Sequence, residues 1–413
     1  MKFSHIADCH VGSYRDDRMK ILTINAFSQA VSISIKESVD FILISGDLFN
    51  TSIPSIDSLK AVALELKKLL EHEIPVYIIP GSHDFSPSGK TMLDVLENAG
   101  LCINVVKGDI TAEGKLSLNF TKDEKTGVLI SGMIGKRGTL EKSFYESLDN
   151  KNLESTEGFK IFMFHSAITE LKPKKFEKIE SAPLSYLPKG FNYYAGGHVH
   201  SISKFSSKEL GGVIAYPGPL FPNSFSELED LGNGGFYIFD SFHPELLKYI
   251  PIVTKNVEKI ILDVNHSNPE EVFELIKKQI SEIDVNDKIV LLRIKGKLET
   301  GKSSDIDFKA IFGELYSMGA YFVMKNTSAL IFEEFKEISV NSDSIFDIEE
   351  KIIKENLGQF KFSKLDFDKE KELSKSLEIL ELLDVEKQDG ENQKDFESRV
   401  IENLGFLNEF DED

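Results

Sequence analysis

The 413-residue chain has two cysteines, Cys9 and Cys102, too few for a disulfide scaffold. It has no apolar run near the ~18 residues of a membrane span; its longest, such as 41–44 and 76–79, are strand-sized. Charge and histidine break the opening Met1-Lys2-Phe3-Ser4-His5-Ile6-Ala7-Asp8 too early for the core of a signal peptide. The expectation is a cytoplasmic, reduced protein with no membrane association. Nor is there a basic excess: 48 Lys and Arg stand against 68 Asp and Glu, a net charge of −20. Contact with nucleic acid would therefore need local patches or metal ions. No long repeat is visible, and no proline follows Pro269.

What is present is an ordinary globular composition, 41% hydrophobic and 28% charged, which excludes a mainly disordered or collagen-like chain. The length allows two or three domains. The acidic excess is uneven. Residues 1–250 carry 26 basic and 31 acidic side chains, residues 251–340 carry 12 and 15, and residues 341–413 carry 10 and 22.

Residues 1–250 alternate short apolar runs with longer amphipathic stretches. Strands are expected at 41–45, 76–80, 128–131, 161–164, 193–195 and 213–216. A helix over 19–37 would align Leu22, Ala26, Ala30 and Ile33, and one over 56–71 would align Leu59, Val62, Ala63, Leu66, Leu69 and Leu70. Strand, helix, strand argues for an α/β core of helix-covered sheets. Past Pro251 the texture changes. Strands at 259–264 and 288–295 flank a helix at 270–282, and a helix at 305–319 precedes a strand at 321–332, a small α+β domain over 251–340. Residues 341–413 read as a helical tail, with patterns at 345–357, 369–386 and 394–410.

Five of the nine histidines fall at the ends of expected strands, most of them beside turn glycines. The fragments are Asp8-Cys9-His10, Gly46-Asp47, Gly81-Ser82-His83-Asp84, His165 and Gly197-His198-Val199-His200. In an extended segment alternate side chains share a face, so Asp8 would join His10, and His198 would join His200. Strand-end loops are where α/β folds gather functional groups. Carboxylates and neutral imidazoles suit Mn²⁺, Fe²⁺ or Zn²⁺. Two Asp and four His exceed the needs of one ion; a pair sharing Asp47 would use them all. Two ions ~3.5–4 Å apart are the usual device for in-line attack on a phosphoester. A single such fragment is ordinarily a local hydrogen bond; five in one chain point to a metal centre.

This ordered set resembles the motifs of calcineurin-like metallophosphoesterases. Within them it is similar to the SbcD-like DNA double-strand-break repair nucleases, the meiotic recombination nuclease subunit of archaea. Gly46-Asp47-Leu48-Phe49, Pro54-Ser55 and Tyr216-Pro217-Gly218 carry the closer likeness. The resemblance implies a four-layer-type α/β sandwich with a small capping domain and a helical tail that binds an ATPase. It implies that Asp8, His10, Asp47 and His200 hold one Mn²⁺, and that Asp47, His165 and His198, with position 82, hold a second. His83 would be the general acid and Asp84 would orient its ring. Two positions depart from the family pattern. Its ligand Asn is Ser82 here, a shorter and poorer donor, and a position often His is Asn50. The implied activity is 3′→5′ exonuclease on duplex ends and endonuclease on single strands. The implied partners are DNA and an SMC-like, SbcC-type coiled-coil ATPase, and a homodimer is expected. A phosphatase or other phosphodiesterase on this fold, and a catalytically weakened DNA-end scaffold, are the alternatives.

Other candidates lean towards structure. His5, His72, His243 and His266 match no motif, and Cys102 reads as a small buried apolar residue. Lys288, Arg293, Lys295, Lys297 and Lys302 read first as a solvated face, or else as a contact to phosphates. Phe221 and Phe225 could stack on a base or pack. Leu373, Leu377, Leu380 and Leu383 form one stripe in the tail, and Phe396, Val400, Leu404 and Leu407 a second.

Overall fold

In the computed structural model the described residues are 1–85, 91–135, 145–243, 247–332, 353, 369–383, 396 and 398–400. Residues 1–332 form one compact unit and the later residues another.

The first unit is built on two six-stranded sheets. The first contains β1 (Lys2–Ile6), β2 (Phe41–Ser45), β3 (Val76–Ile79), β4 (Ile103–Asn104), β13 (Gly234–Asp240) and β14 (Lys248–Ile252), in the order β14-β13-β1-β2-β3-β4. A short hairpin, β5 (Gly108–Ile110) and β6 (Leu116–Leu118), stands apart. The second sheet contains β7 (Thr121–Lys122), β8 (Leu129–Gly132), β9 (Lys160–His165), β10 (Tyr193–Gly197), β11 (Ser203–Ser207) and β12 (Gly212–Tyr216), in the order β11-β12-β10-β9-β8-β7. β1, β2, β3 and β4 run parallel, as do β8, β9, β10 and β12.

Period-two alternation explains the layers. In β2, Phe41 and Leu43 face the second sheet, while Ile42 and Ile44 face helices. In β9, Ile161 and Met163 face the first sheet, while Phe162 and Phe164 enter a third cluster beneath the loops of residues 167–191. Both faces of these strands are covered, so they read as unbroken apolar runs. Two helices cover the first sheet: α1 (Asp17–Lys36), capped by Asp16, and α2 (Ile56–Glu71), capped by Ser55. The shorter α3 (Met92–Asn98) and α4 (Lys151–Ser155) close loops, and α5 (Phe225–Leu231) links β12 to β13. Where the sheets meet, Phe3 stacks on Phe41 and Phe239, with centroids 5.0 and 4.8 Å away, and meets Tyr193 edge-on at 5.2 Å.

Beyond β14 lies a three-stranded parallel sheet of β15 (Val257–Asp263), β16 (Ile289–Leu298) and β17 (Phe322–Phe332). It carries α6 (Pro269–Ser281) and α7 (Phe308–Ser317) on one face. On its other face, Ile289 and Leu291 join the core beneath α1 and α5. The Arg18 guanidinium lies over the Tyr316 and Phe322 rings, and the Tyr321 hydroxyl donates to the Arg18 carbonyl at 2.8 Å. In the second unit, α8 (Lys369–Leu383) covers the middle tail pattern. The patterns at 345–357 and 394–410 fall almost wholly outside the described residues, as do Leu404 and Leu407. Among the described residues, no helix is long and apolar enough to cross a membrane.

Phe3→Ala should cost about 3–5 kcal/mol, the usual penalty for emptying a fully buried aromatic site. Urea denaturation followed by far-UV circular dichroism measures it; a loss under 1 kcal/mol would mean that the layer between the sheets repacks freely.

Candidate metal centre

The parallel strands of both sheets end at one mouth, and every strand-end fragment singled out in the sequence lies there. Asp8 and His10 follow β1, Asp47 follows β2, and Ser82, His83 and Asp84 follow β3. His165 ends β9, and His198 and His200 follow β10. The local backbone is not the extended one expected for Asp8-Cys9-His10. Asp8 (φ 51°), His10 (φ 42°), Asp47 (φ 51°) and His198 (φ 82°) all adopt left-handed conformations, which cost roughly 1–3 kcal/mol each and persist where surroundings over-determine them. Main-chain bonds supply that constraint. Asp8 N–H donates to the Gly46 carbonyl at 3.1 Å, and His10 N–H to the Asp47 carbonyl at 2.9 Å. Asp8 and His10 converge because two tight turns aim them, while Cys9 drops into the core.

Asp8 and Asp47 are 0% and 2% exposed. His10 Nε2 is 3.7 Å from Asp47 Oδ2, and His200 Nε2 is 3.7 Å from Asp8 Oδ1. His165 Nε2 is 3.2 Å from the same Asp47 Oδ2. The rings of His165 and His198 lie 5.2 Å apart, and the His198 N–H donates to Asp8 Oδ1 at 2.9 Å. The Ser82 hydroxyl donates to Asp47 Oδ2 at 3.4 Å. Among the described residues, three groups bring ligand atoms within 4.8 Å of one another: Asp8, His10 and His200; Asp8, Asp47 and His165; and His10, Asp47 and His83.

Glycine is required on two sides of the His165 ring. A Cβ on Gly46 (φ 85°) would lie 2.2 Å from His165 Nδ1, and one on Gly197 would lie 2.0 Å from the Ser45 carbonyl oxygen. That carbonyl accepts from His165 Nδ1 at 2.8 Å, which leaves Nε2 facing Asp47. Nε2 is buried, and its 3.2 Å approach to Asp47 Oδ2 lacks hydrogen-bond geometry. The Nε2 atoms of His10 and His200 face each other at 3.2 Å. Two unprotonated ring nitrogens at that distance repel unless a proton or a cation lies between them. An orphaned imidazole nitrogen, an opposed nitrogen pair and two buried carboxylates are the donor set of divalent cations, and these residues fit a pair of them.

The titration shifts follow from the same burial. Burial raises the Asp8 carboxyl, against the pull of the His200 and His165 charges. Burial would also raise Asp47, but His165, then His10 and the His83 N–H, hold it well below the usual carboxylate range. Burial opposes a charge on His165, yet Asp47 and Asp8 carry its ring up to about 10. Burial keeps His10 neutral in spite of Asp47, and burial with the His165 charge brings His198 down to about 3. His10, His198 and Asp47 are thus held in the forms that bind metal, whereas His165 would have to give up its proton to a cation.

Several roles differ from expectation. His83 Nδ1 donates to the Asn50 carbonyl at 2.8 Å, so a backbone oxygen occupies the place expected of Asp84. The Asp84 carboxylate instead accepts from the N–H groups of Leu48, Phe49 and Gly81 at 3.2, 3.0 and 3.1 Å, clamping the turn that carries Asp47. Burial, then Asp47, raises its carboxyl to about 7. Sequence reasoning passed over Glu227, whose Oε1 is 3.0 Å from His200 Nδ1 and whose Oε2 accepts from the Asn223 N–H at 2.7 Å. His5 is fully buried between the sheets, with Nδ1 2.9 Å from the Tyr193 hydroxyl and Nε2 3.0 Å from Ser45 Oγ. Phe221 and Phe225 pack in the core, 2% and 9% exposed, so neither presents a face to a base. Of the basic cluster, Lys288 pairs with Glu258, Lys295 with Asp263 and Arg293 with Glu229.

These features define a binuclear-type phosphoesterase site. Residues 1–201 match the calcineurin-like phosphoesterase family. Three proteins described as "DNA double-strand break repair protein Mre11" resemble the chain. The one from Methanococcus maripaludis is 30% identical over 58% of this chain and 63% of that protein. The one from Saccharolobus solfataricus is 31% identical over 63% and 68%, and that from Methanocaldococcus jannaschii is 27% identical over 87% and 90%. The chain spans just under two thirds of the first protein's length and more of the other two. A solved dimetal phosphatase from Danio rerio overlays with a TM-score of 0.35 at 9% identity, over 58% of this chain and 91% of that one, too loosely to carry any argument. The chain belongs to the Mre11 family of calcineurin-like phosphoesterases. It is a metal-dependent phosphoesterase.

Glu227→Ala should weaken metal binding about 10–100-fold, the usual loss when the partner of a ligand histidine is removed. Calorimetric titration with Mn²⁺ measures it, and an unchanged isotherm would show that His200 is oriented without Glu227.

Proposed function

We propose that this protein is a Mn²⁺-dependent DNA nuclease of double-strand break repair, a 3′→5′ exonuclease on duplex ends and an endonuclease on single strands. The observation that carries the proposal is the convergence of Asp8, Asp47, His10, His165, His198 and His200 at one buried mouth. The similarity to DNA double-strand break repair proteins supports the substrate. Asp8, His10, Asp47 and His200 would hold one ion. Asp47, His165 and His198 would hold the other, with Ser82 ligating weakly or through a water. Bound there, such a pair supplies a hydroxide nucleophile and neutralises charge on the transferring phosphoryl group.

The protein's own part is positional and protic. The Asn50 carbonyl holds the proton on His83 Nδ1, so Nε2 carries none in the neutral ring. Only as the doubly protonated imidazolium would the ring give the Nε2 proton to the leaving oxygen and return to the neutral Nδ1–H form. Asp84 keeps the Asp47 turn rigid. His83 also lies within ligand reach of His10 and Asp47, which favours a second reading of it as a metal ligand. Two free, buried cysteines accord with a reduced, cytoplasmic setting. Ile56 and Leu64 on α2 and Val95 on α3 are 83%, 52% and 55% exposed, apolar side chains whose exposure supports a homodimer. In α8, Leu380 and Leu383 are 40% and 48% exposed, which supports docking of the tail on a coiled-coil ATPase.

Cleavage of linear duplex, plasmid and bis-p-nitrophenyl phosphate, with Mn²⁺ and with Mg²⁺, tests the function. Mn²⁺-dependent cutting of both DNA forms is expected; hydrolysis of the small ester alone points to a phosphodiesterase, and neither activity to a scaffold. His83→Ala should lose roughly 10²–10⁴-fold in rate, the usual contribution of a general acid, and keep its Mn²⁺ content. Loss of one ion would make it a ligand.

Removing residues 341–413 should spare cleavage and abolish capture of an SMC-like coiled-coil ATPase in a pull-down. Equal capture by the two forms would overturn the assignment of the tail.

A further inference from the structure

Arg293 has no part in the centre as described, yet it ends on the same short helix as His200. It lies on β16 of the three-stranded sheet, and its guanidinium grips Glu229 of α5 with a two-pronged bond, Nε to Oε1 at 2.5 Å and Nη2 to Oε2 at 2.6 Å. The guanidinium also lies over the ring of Phe225, 5.1 Å from its centroid, at the start of the same helix. Two positions before Glu229, Glu227 turns to His200 and to the Asn223 N–H. Ser224 caps the helix by accepting from the Glu227 N–H at 3.2 Å. Leu228, between the two acids, is fully buried in the core together with Ile289 and Leu291 of β16.

We infer that Arg293 is a positioning residue for His200, acting through Glu229 and α5 on Glu227. An isolated surface ion pair would carry no such weight. A forked, partly buried guanidinium–carboxylate pair fixes both distance and orientation, and stacking on an aromatic ring adds to it. A helix of seven residues has little stiffness of its own, so its placement depends on what grips it. On one side the grip is Arg293, Ile289 and Leu291 from the third sheet; on the other it is the Glu227–His200 contact. The third sheet thus sets the reach of a metal ligand that its own residues never touch. This inference rests on the reading of His200 as a ligand.

The test is calorimetric titration of Mn²⁺ into the full chain, without DNA, for the wild type, Arg293→Ala, Glu229→Ala, Glu227→Ala and the pair Arg293→Ala with Glu227→Ala. Arg293→Ala should weaken one class of Mn²⁺ site roughly 3- to 30-fold, the range of indirect coupling, and leave the other class unchanged. The same substitution should add little once Glu227 is alanine, because the path ends there. The reversed pair Arg293→Glu with Glu229→Arg should recover part of the affinity, which a loss of general stability would not allow. Where Arg293→Ala fails to fold, Arg293→Lys keeps the charge, loses the fork and should show a smaller loss at the same site. Unchanged Mn²⁺ affinity in the Arg293 variants, or an equal loss in the Glu227→Ala background, would overturn the link. A wild-type chain that binds no Mn²⁺ would instead bring down the metal reading itself, and the link with it.

Discussion

Two carboxylates, Asp8 and Asp47, are ionisable groups shut away from water at the junction of two sheets. Unpaired charges in such a place cost several kcal/mol each, so the fold must surround them with compensation. It does so with the His83 and His198 backbone N–H groups and with imidazoles on three sides. The left-handed turns at Asp8, His10, Asp47 and His198 are the backbone counterpart of this demand. Extended strands could not deliver that many side chains into one small volume. A divalent cation would complete what the protein's own protons balance only in part.

Much of this was legible in the sequence, for identifiable reasons. Buried parallel strands such as 41–45 and 161–164 are unbroken apolar runs, and α1 and α2 carry their apolar residues at helical spacing, so the helix-covered sheets could be read directly. The His and Asp fragments were visible because they cluster beside turn glycines. What escaped was of two kinds. Glu227 carries no motif, since it acts by a single carboxylate far along the chain; Asn50 stood out as a departure from the family pattern, but its bond to His83 did not, since it is made by a carbonyl that every residue has. β1 and β13 escaped because polar Ser4 and His5 in one, and Gly234 and Gly235 in the other, interrupt the apolar pattern.

His5 shows why a polar residue can belong in a core. Its ring bridges Tyr193 of the second sheet and Ser45 of the first, and the Ser45 carbonyl in turn orients His165. Burial brings its pKa down to about 3, so it stays neutral and can donate on one nitrogen and accept on the other. The basic residues of the third sheet teach the converse. Lys288, Lys295 and Arg293 read first as a solvated face, with contact to phosphates as the alternative; each is paired with an acid, and Arg293 reaches α5.

The donor set is divided between the sheets. Asp8, His10 and Asp47 hang from the first, and His165, His198 and His200 from the second. The layer where Phe3, Phe41, Leu43, Ile161, Met163 and Tyr193 interlock is therefore also a caliper. A slip of one sheet along the other by a fraction of an ångström would open or close the gap between the two sets of candidate ligands. Packing far from the mouth would thus set the spacing these side chains could offer to a pair of ions, and a substitution that leaves the protein folded could still detune it.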